Sequence, residues 1–294
     1  MAPPARQNLL VGIGLRAGAA SSFAAMAALI KLGHEAGVST PELIFYRFAF
    51  GLPPLVLWIA ATGQWSVWRT ARPLAHVTRG LLGLGTMALA FTALAFLPLA
   101  EATTIGFVAP LFAVMLSALV LHEPVGRYRW SAVAIGFAGV LLVMQPAGDN
   151  LPRLGLILAL LSALGVAAVN ITIRQMGRTE SAPTTVLWFT GQSMLITGLL
   201  LPFSAEWHTP QTWALLAGIG LFGGLGQLFM TSSLRFAPVA AVVPFDYLQL
   251  LWAVAFGWLL FATRPPATTW VGAVVIIGSG LFTIWREQSL LRTR

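Results

Sequence analysis

Apolar runs of about twenty residues, each cut off by a charge, a Pro or a Gly, follow one another from residue 12 to residue 286. Runs of that length cross the hydrocarbon core of a bilayer as helices. Their limits predict ten spans, near 12–33, 42–62, 77–96, 99–121, 129–146, 153–174, 184–203, 211–234, 239–261 and 268–286. The linkers at Pro98 and Pro238 are so short that the helices flanking them must form tight antiparallel pairs. One stretch of the pattern returns. Phe96-Leu-Pro98-Leu-Ala-Glu101, running on to Phe107 and Phe112, is echoed 140 residues later by Phe236-Ala-Pro238-Val-Ala-Ala, running on to Tyr247 and Trp252. Trp130 and Trp270 match at the same offset. Similarity at a fixed long period marks a duplicated unit. A unit of five spans reverses its second copy across the membrane, so the expectation is an all-α integral membrane protein of two inverted five-helix repeats, 1–146 and 152–294, with the fourth and ninth helices as counterparts.

Composition sharpens that picture. Of 294 residues 57% are hydrophobic and 9% charged, against about 25% charged in soluble domains. The net charge of +8 comes from sixteen Arg and Lys31 set against nine acids. Most Arg lie between the apolar runs, and with the N-terminus in the cytoplasm eleven fall inside and chiefly Arg153 and Arg264 outside. That asymmetry is the positive-inside signature; it predicts cytoplasmic termini in a bacterial-type inner membrane and does not call for a nucleic-acid partner. Arg6 ahead of an apolar run imitates a signal peptide, but the run is too long for one, and an uncleaved first span is expected. The absence of Cys removes disulfides, thiolate metal sites and cysteine nucleophiles together.

Inverted five-helix repeats, Pro-marked fourth and ninth spans, and the Leu121-His-Glu123-Pro124 end of the fourth span resemble the EamA family of the drug/metabolite transporter superfamily. The resemblance extends to Trp130-Ser-Ala-Val-Ala-Ile-Gly136-Phe-Ala-Gly139 and to Arg47 in the second span. The second half departs from it, with Thr263-Arg264-Pro265 in place of Glu-Pro and Phe189 where Arg47 would recur. Size and aromatic content are similar to the YddG-type exporters of aromatic amino acids. The resemblance implies a carrier with a central cavity and no cofactor.

Asp246 is the most informative residue, a carboxylate inside a span beside Pro244 and Tyr247. Such a charge costs about 2.5 to 3.5 kcal/mol to insert and faces a bundle interior or a wet cavity. Pro244 removes a backbone donor, so the helix should be distorted there. Two readings stand: a structural pair with an Arg or with freed amides, or a site for a substrate ammonium or a proton. Asn170, Gln192, Gln227 and Gln249, with Thr86, are the buried polar candidates for a zwitterionic or neutral substrate, or for interhelical hydrogen bonds. Met26, Met87, Phe91, Phe107, Trp188 and Trp252 offer surfaces to a flat ring or pack in the core or against lipid, and Tyr247 is a further candidate contact beside Asp246. Glu101 sits where a helix N-terminus favours negative charge, Glu123 reads as a capping residue, and Arg16 and Lys31 read as snorkelling residues without a site role. Gly218-Ile-Gly220-Leu-Phe-Gly223 imitates a dinucleotide fingerprint but has no preceding strand, and close helix packing is expected of it.

These residues predict a secondary transporter exporting a small organic solute, amino acids foremost, by alternating access. Export of cationic aromatic drugs is the alternative. An intramembrane enzyme would need a nucleophile with a base, a carboxylate pair or a metal cluster, and no HExxH or Gly-X-Ser-X-Gly occurs. A channel would favour pore rings or filter loops.

Overall fold

The computed structural model describes residues 8–292 apart from 64, 121, 123–125, 145–150, 177–178 and 238. Arg6, Glu123, Pro124, Asp149, Arg178, Pro238 and Arg294 therefore lie outside the described residues. Among the described residues all regular structure is helical. The helices are α1 Leu9–Glu35, α2 Thr40–Thr62, α3 Pro73–Phe96, α4 Leu99–Leu119, α5 Arg127–Met144, α6 Arg153–Met176, α7 Ala182–Ser204, α8 Pro210–Phe236, α9 Val243–Phe261 and α10 Ala267–Arg292. The first nine are long and apolar enough to cross a membrane, and α10 adds the apolar segment Ala267–Phe282. Their limits fall within a few residues of the spans read from the sequence.

Side-chain caps set several starts. Asn8, Ser39, Ser181 and Thr209 each accept the backbone N–H three residues on, which satisfies one of the orphaned donors of a helix N-terminus. Ser39-Thr-Pro-Glu42 and Ser181-Ala-Pro-Thr184 open α2 and α7 on the same device, a capping residue with Pro in the first turn.

Three helices are broken, and two of the breaks coincide with the repeated stretch. In α4, Leu99–Gly106 stops at Phe107 and the helix restarts at Ala109, with Pro110 in its first turn. Just ahead of α9, a single turn Val239–Val242 leads into the tight 3-10 run Val243–Tyr247 that opens the helix, before regular winding resumes at Leu248. Pro244 stands in the first turn of that run and has no N–H to give, so the expected distortion beside Asp246 is present. Phe107 and Tyr247, matched in the sequence, both stand at a break. The third break, at Phe50-Gly51, divides α2.

The chain folds into two compact units, Met1–Thr70 with Ser181–Phe256, and Ala71–Glu180 with Gly257–Arg294. Each draws on both halves of the sequence, so the duplicated unit is not the packing unit. In the first unit α1 runs along α8, α2 packs on α7 and α8, and α1 meets the 3-10 turn of α9. The expected role of the α8 glycines is observed: a Cβ on Gly224 would lie 3.0 Å from the carbonyl oxygen of Gly51, at the break in α2. In the second unit α3 packs along α6, α5 along α10, and α4 against α6, around a core that includes Leu97, Ile105, Leu111, Val140, Leu156 and Ile276. Gly139 and Gly272 let α5 and α10 touch backbone to backbone. The pairings 1 with 8, 2 with 7, 3 with 6 and 5 with 10 map onto themselves when every helix is exchanged for the one five places away. Duplication is thus written into the packing as well as the sequence. Leu57, Leu199, Phe203, Leu259 and Val274 are exposed, as side chains that meet lipid must be.

Candidate functional site

Asp246 leaves the 3-10 turn of α9 toward α1, where Arg16 meets it. Arg16 Nε donates to Oδ1 and Nη2 to Oδ2, a side-on fork of the kind that makes Arg–carboxylate pairs strong and directional. The side chains are 11% and 26% exposed, so the pair is sheltered without being sealed. This corrects the reading of Arg16 as a snorkelling residue: its guanidinium is spent on an acid 230 residues away. A second contact ties the same two helices. Trp252 Nε1 donates to Ser21 Oγ at 2.8 Å, Ser21 Oγ donates to the carbonyl of Ala17 at 2.9 Å, and the partly exposed Trp252 ring stacks on Phe256 with centroids 5.6 Å apart. Tyr247 and Gln249, half-buried, flank Asp246. The result is a charged pair beside an irregular turn, framed by aromatic rings and hydroxyls.

The other expected site residues divide between the two units. In the first unit, Met26 and Arg47 meet at α8, where a Cβ on Gly223 would lie 3.0 Å from Met26 Sδ and 3.2 Å from Arg47 Cγ. The Arg47 guanidinium is buried and lies 4.6 Å over the Phe48 ring. Gln227, half-buried, follows one turn after Gly223. Trp188 and Gln192 are half-buried on α7, which packs on α2, and Gln192 Nε2 is buried with no hydrogen-bond partner among the described residues. The second unit holds Thr86, Phe107 and Asn170. Thr86 borders a groove of about 490 Å³ between α3, α4 and α6, lined by Leu82, Leu89, Leu116, Leu161 and Leu164. Its hydroxyl donates back to the carbonyl of Leu82 at 2.7 Å, so the groove stays apolar. Phe107 packs against the core of that unit, and Asn170 is exposed on α6.

Two His–carboxylate pairs escaped the sequence reading. In the first unit His208, just ahead of α8, meets Glu42 in the first turn of α2 at 2.8 Å, with Ser39 Oγ 3.3 Å from the other carboxylate oxygen and the Trp213 ring edge-on to the imidazole. In the second unit His76, in the first turn of α3, lies 3.4 Å from Glu180, just ahead of α7; Glu180 also accepts the backbone N–H of Ala71 at 3.1 Å. The pairs use corresponding places in the two halves of the sequence: the acid stands at or just ahead of the start of α2 or α7, and the His at or just ahead of the start of α8 or α3. In a double-mutant cycle, His208→Gln and Glu42→Gln should each lower the melting temperature and show a coupling of about 0.5 to 3 kcal/mol. Strict additivity would mean the pair contributes nothing.

Comparison with known proteins agrees with this geometry. The EamA-like transporter family matches twice, over residues 10–145 and 153–285. The chain is 33% identical over 248 residues to a riboflavin transporter of Rhizobium johnstonii, covering 83% of this chain and 79% of that protein. It is 29% identical over 258 residues to an S-adenosylmethionine uptake transporter of Rickettsia conorii, covering 86% and 85%, and 28% identical over 271 residues to the pseudopaline exporter CntI of Pseudomonas aeruginosa, covering 90% and 93%. A solved crystal structure superposes with a TM-score of 0.61 at 19% identity over 93% of this chain and 98% of its own, which speaks to the fold. With two family matches that together take in nearly the whole chain, and apolar helices whose four pairings are those a duplication requires, this multi-pass membrane protein belongs to the EamA-like transporter family.

Proposed function

We propose that the chain exports a small zwitterionic or neutral metabolite with a flat or apolar side group, amino acids foremost, across a bacterial inner membrane. Alternating access would come from the inverted repeats 1–146 and 152–294, with both termini cytoplasmic. The observation that carries this reading is the Arg16–Asp246 pair at the irregular turn of α9. A fixed pair of opposite charges is complementary to a zwitterion, whose carboxylate can take the guanidinium and whose ammonium can take the carboxylate, exchanging one forked contact for two. Trp252 and Tyr247 supply ring faces beside it, and discontinuous helices are where transporters of inverted repeats build their sites. A phosphorylated solute fits poorly, because it would call for several converging cations. Gln249 and Gln227 are proposed as further contacts in the first unit, with Met26, Trp188 and Gln192 farther out in it; Thr86, Phe107 and Asn170 are proposed as solute contacts of the second unit. The relatives' solutes, riboflavin, S-adenosylmethionine and pseudopaline, support a small organic metabolite, and their names include both uptake and export.

A thermal-shift screen of the purified protein against the twenty amino acids, riboflavin, S-adenosylmethionine and a set of sugar phosphates tests the reading. A solute at about 100 times its Kd should add about 2.7 kcal/mol of stability, and the shift should vanish in the Arg16→Gln/Asp246→Asn double variant. A response confined to sugar phosphates would reject it. Counterflow in oriented vesicles then separates export from uptake.

A further inference from the structure

Other described carboxylates have a basic partner, as Asp246 has Arg16, Glu42 has His208 and Glu180 has His76. Glu101 is buried without one. It stands in the first turn of α4, three residues after Pro98, and is 3% exposed. One oxygen, Oε1, accepts from Thr269 Oγ1 on α10 at 3.1 Å, and its own backbone N–H is the other donor in reach. The second oxygen, Oε2, is buried with no hydrogen-bond partner among the described residues. The helices packed on α4 carry His76 and Arg79 on α3, Arg127, Tyr128 and Arg129 on α5, and Arg153 and Arg174 on α6, while α10 carries no titratable side chain between Ala267 and Phe282. None of these is paired with Glu101 among the described residues.

A bare carboxylate in such a place is costly, because neither a hydroxyl nor one amide replaces the hydration of a full charge. The charge must be cancelled by something that comes and goes, since no fixed cation is provided. A hard metal cation asks for a shell of oxygen ligands, and among the described residues the side-chain oxygen found on the Glu101 carboxylate is that of Thr269. A proton asks for one oxygen, and Oε2 is vacant. We propose that Glu101 is the site at which this transporter binds and releases a coupling proton, taken up on Oε2 from one side of the membrane and surrendered to the other as the packing around α4 changes. The coupling rests on the transport reading above; the binding of the proton does not.

Infrared difference spectroscopy on the protein reconstituted in lipid, stepped from acid to alkaline pH with no solute present, reads the site directly. The carbonyl band of a buried carboxylic acid should bleach as carboxylate bands grow, should be missing in Glu101→Gln and should remain in Asp246→Asn. Thr269→Val, which keeps the acid but removes its hydrogen bond, should move the bleaching by about one pH unit, and this arm survives if Glu101→Gln fails to fold. An acid band insensitive to both substitutions would overturn the proposal, as would a change driven by Na⁺ at fixed pH. Coupling is read in proteoliposomes: Glu101→Gln should keep solute counterflow and lose accumulation driven by a pH gradient, and retained accumulation would also overturn it. If the infrared result holds while no zwitterionic or neutral solute moves, the proton site stands and the transport reading fails.

Discussion

Asp246→Asn is expected to destabilise the protein and to weaken solute binding, and the two effects come apart in the double variant. The substitution keeps the size of the side chain but leaves Arg16 as a sheltered cation without a counter-ion. Breaking a fully buried pair by removing one partner costs about 3 to 5 kcal/mol; with side chains 11% and 26% exposed, solvent screening brings the expected loss to about 1 to 3 kcal/mol. Arg16→Gln should cost a similar amount from the other side. When both are changed no bare charge remains, and the melting temperature should return to within about 1 kcal/mol of the native value. Binding should not return. If the pair receives a zwitterion, each charge contributes a charge-assisted hydrogen bond worth about 1.5 to 3 kcal/mol, so the double variant should bind more than about a hundredfold less tightly. A double variant that regains both stability and binding would make the pair a staple between α1 and α9 and nothing more.

Gly272→Val should produce the largest loss of folded protein of any single substitution in the second unit. A Cβ there would lie 2.7 Å from the carbonyl oxygen of Gly139 and 3.2 Å from the amide nitrogen of Val143, both main-chain atoms that cannot turn aside. Two further methyl groups must push α10 away from α5, the helix it packs along. Overpacking of this kind costs about 1 to 3 kcal/mol where side chains can yield, and backbone yields less. Gly278→Ala is the matched control on the same helix, because its Cβ would meet nothing within 4 Å; it should be neutral or stabilising by about 0.5 to 1 kcal/mol. The fraction surviving as a monodisperse peak after stepwise heating separates the two. Equal survival would mean that α5 and α10 are not held by this contact.

The spans, the duplication, the distortion at Pro244 and the packing role of the α8 glycines were legible in the sequence because each is local: a run of apolar residues, a fixed offset, a missing N–H, a cluster of small side chains. What was not legible is which helix lies beside which. A basic residue near the end of an apolar run looks the same whether it reaches a headgroup or a carboxylate, and Arg16 was misread for that reason. It could have been found by asking which cation compensates Asp246. The partners of His208 and His76 lie 166 and 104 positions away, and only the crossing of helices between the two halves brings them together. Glu101 read as a residue placed for the helix dipole, since nothing in its neighbours announces how deeply α10 covers it. Thr86 read as a candidate for a substrate contact or an interhelical hydrogen bond, and that its hydroxyl turns back on its own helix beside a groove of leucines follows from a rotamer that the sequence does not record.

The interleaving of the halves has a consequence for how the chain is made. A ribosome adds about 5 to 20 residues per second, and Asp246 emerges 230 residues after Arg16, so α1 waits about 10 to 50 s for its counter-charge. Through that interval α8, against which α1 will lie, is largely unmade. A guanidinium near the end of a span can stretch to the phosphate level of the bilayer meanwhile. Nascent α1 would hold Arg16 in that outstretched posture, then turn or slide inward once α8 and α9 enter the membrane, trading a lipid phosphate for a carboxylate.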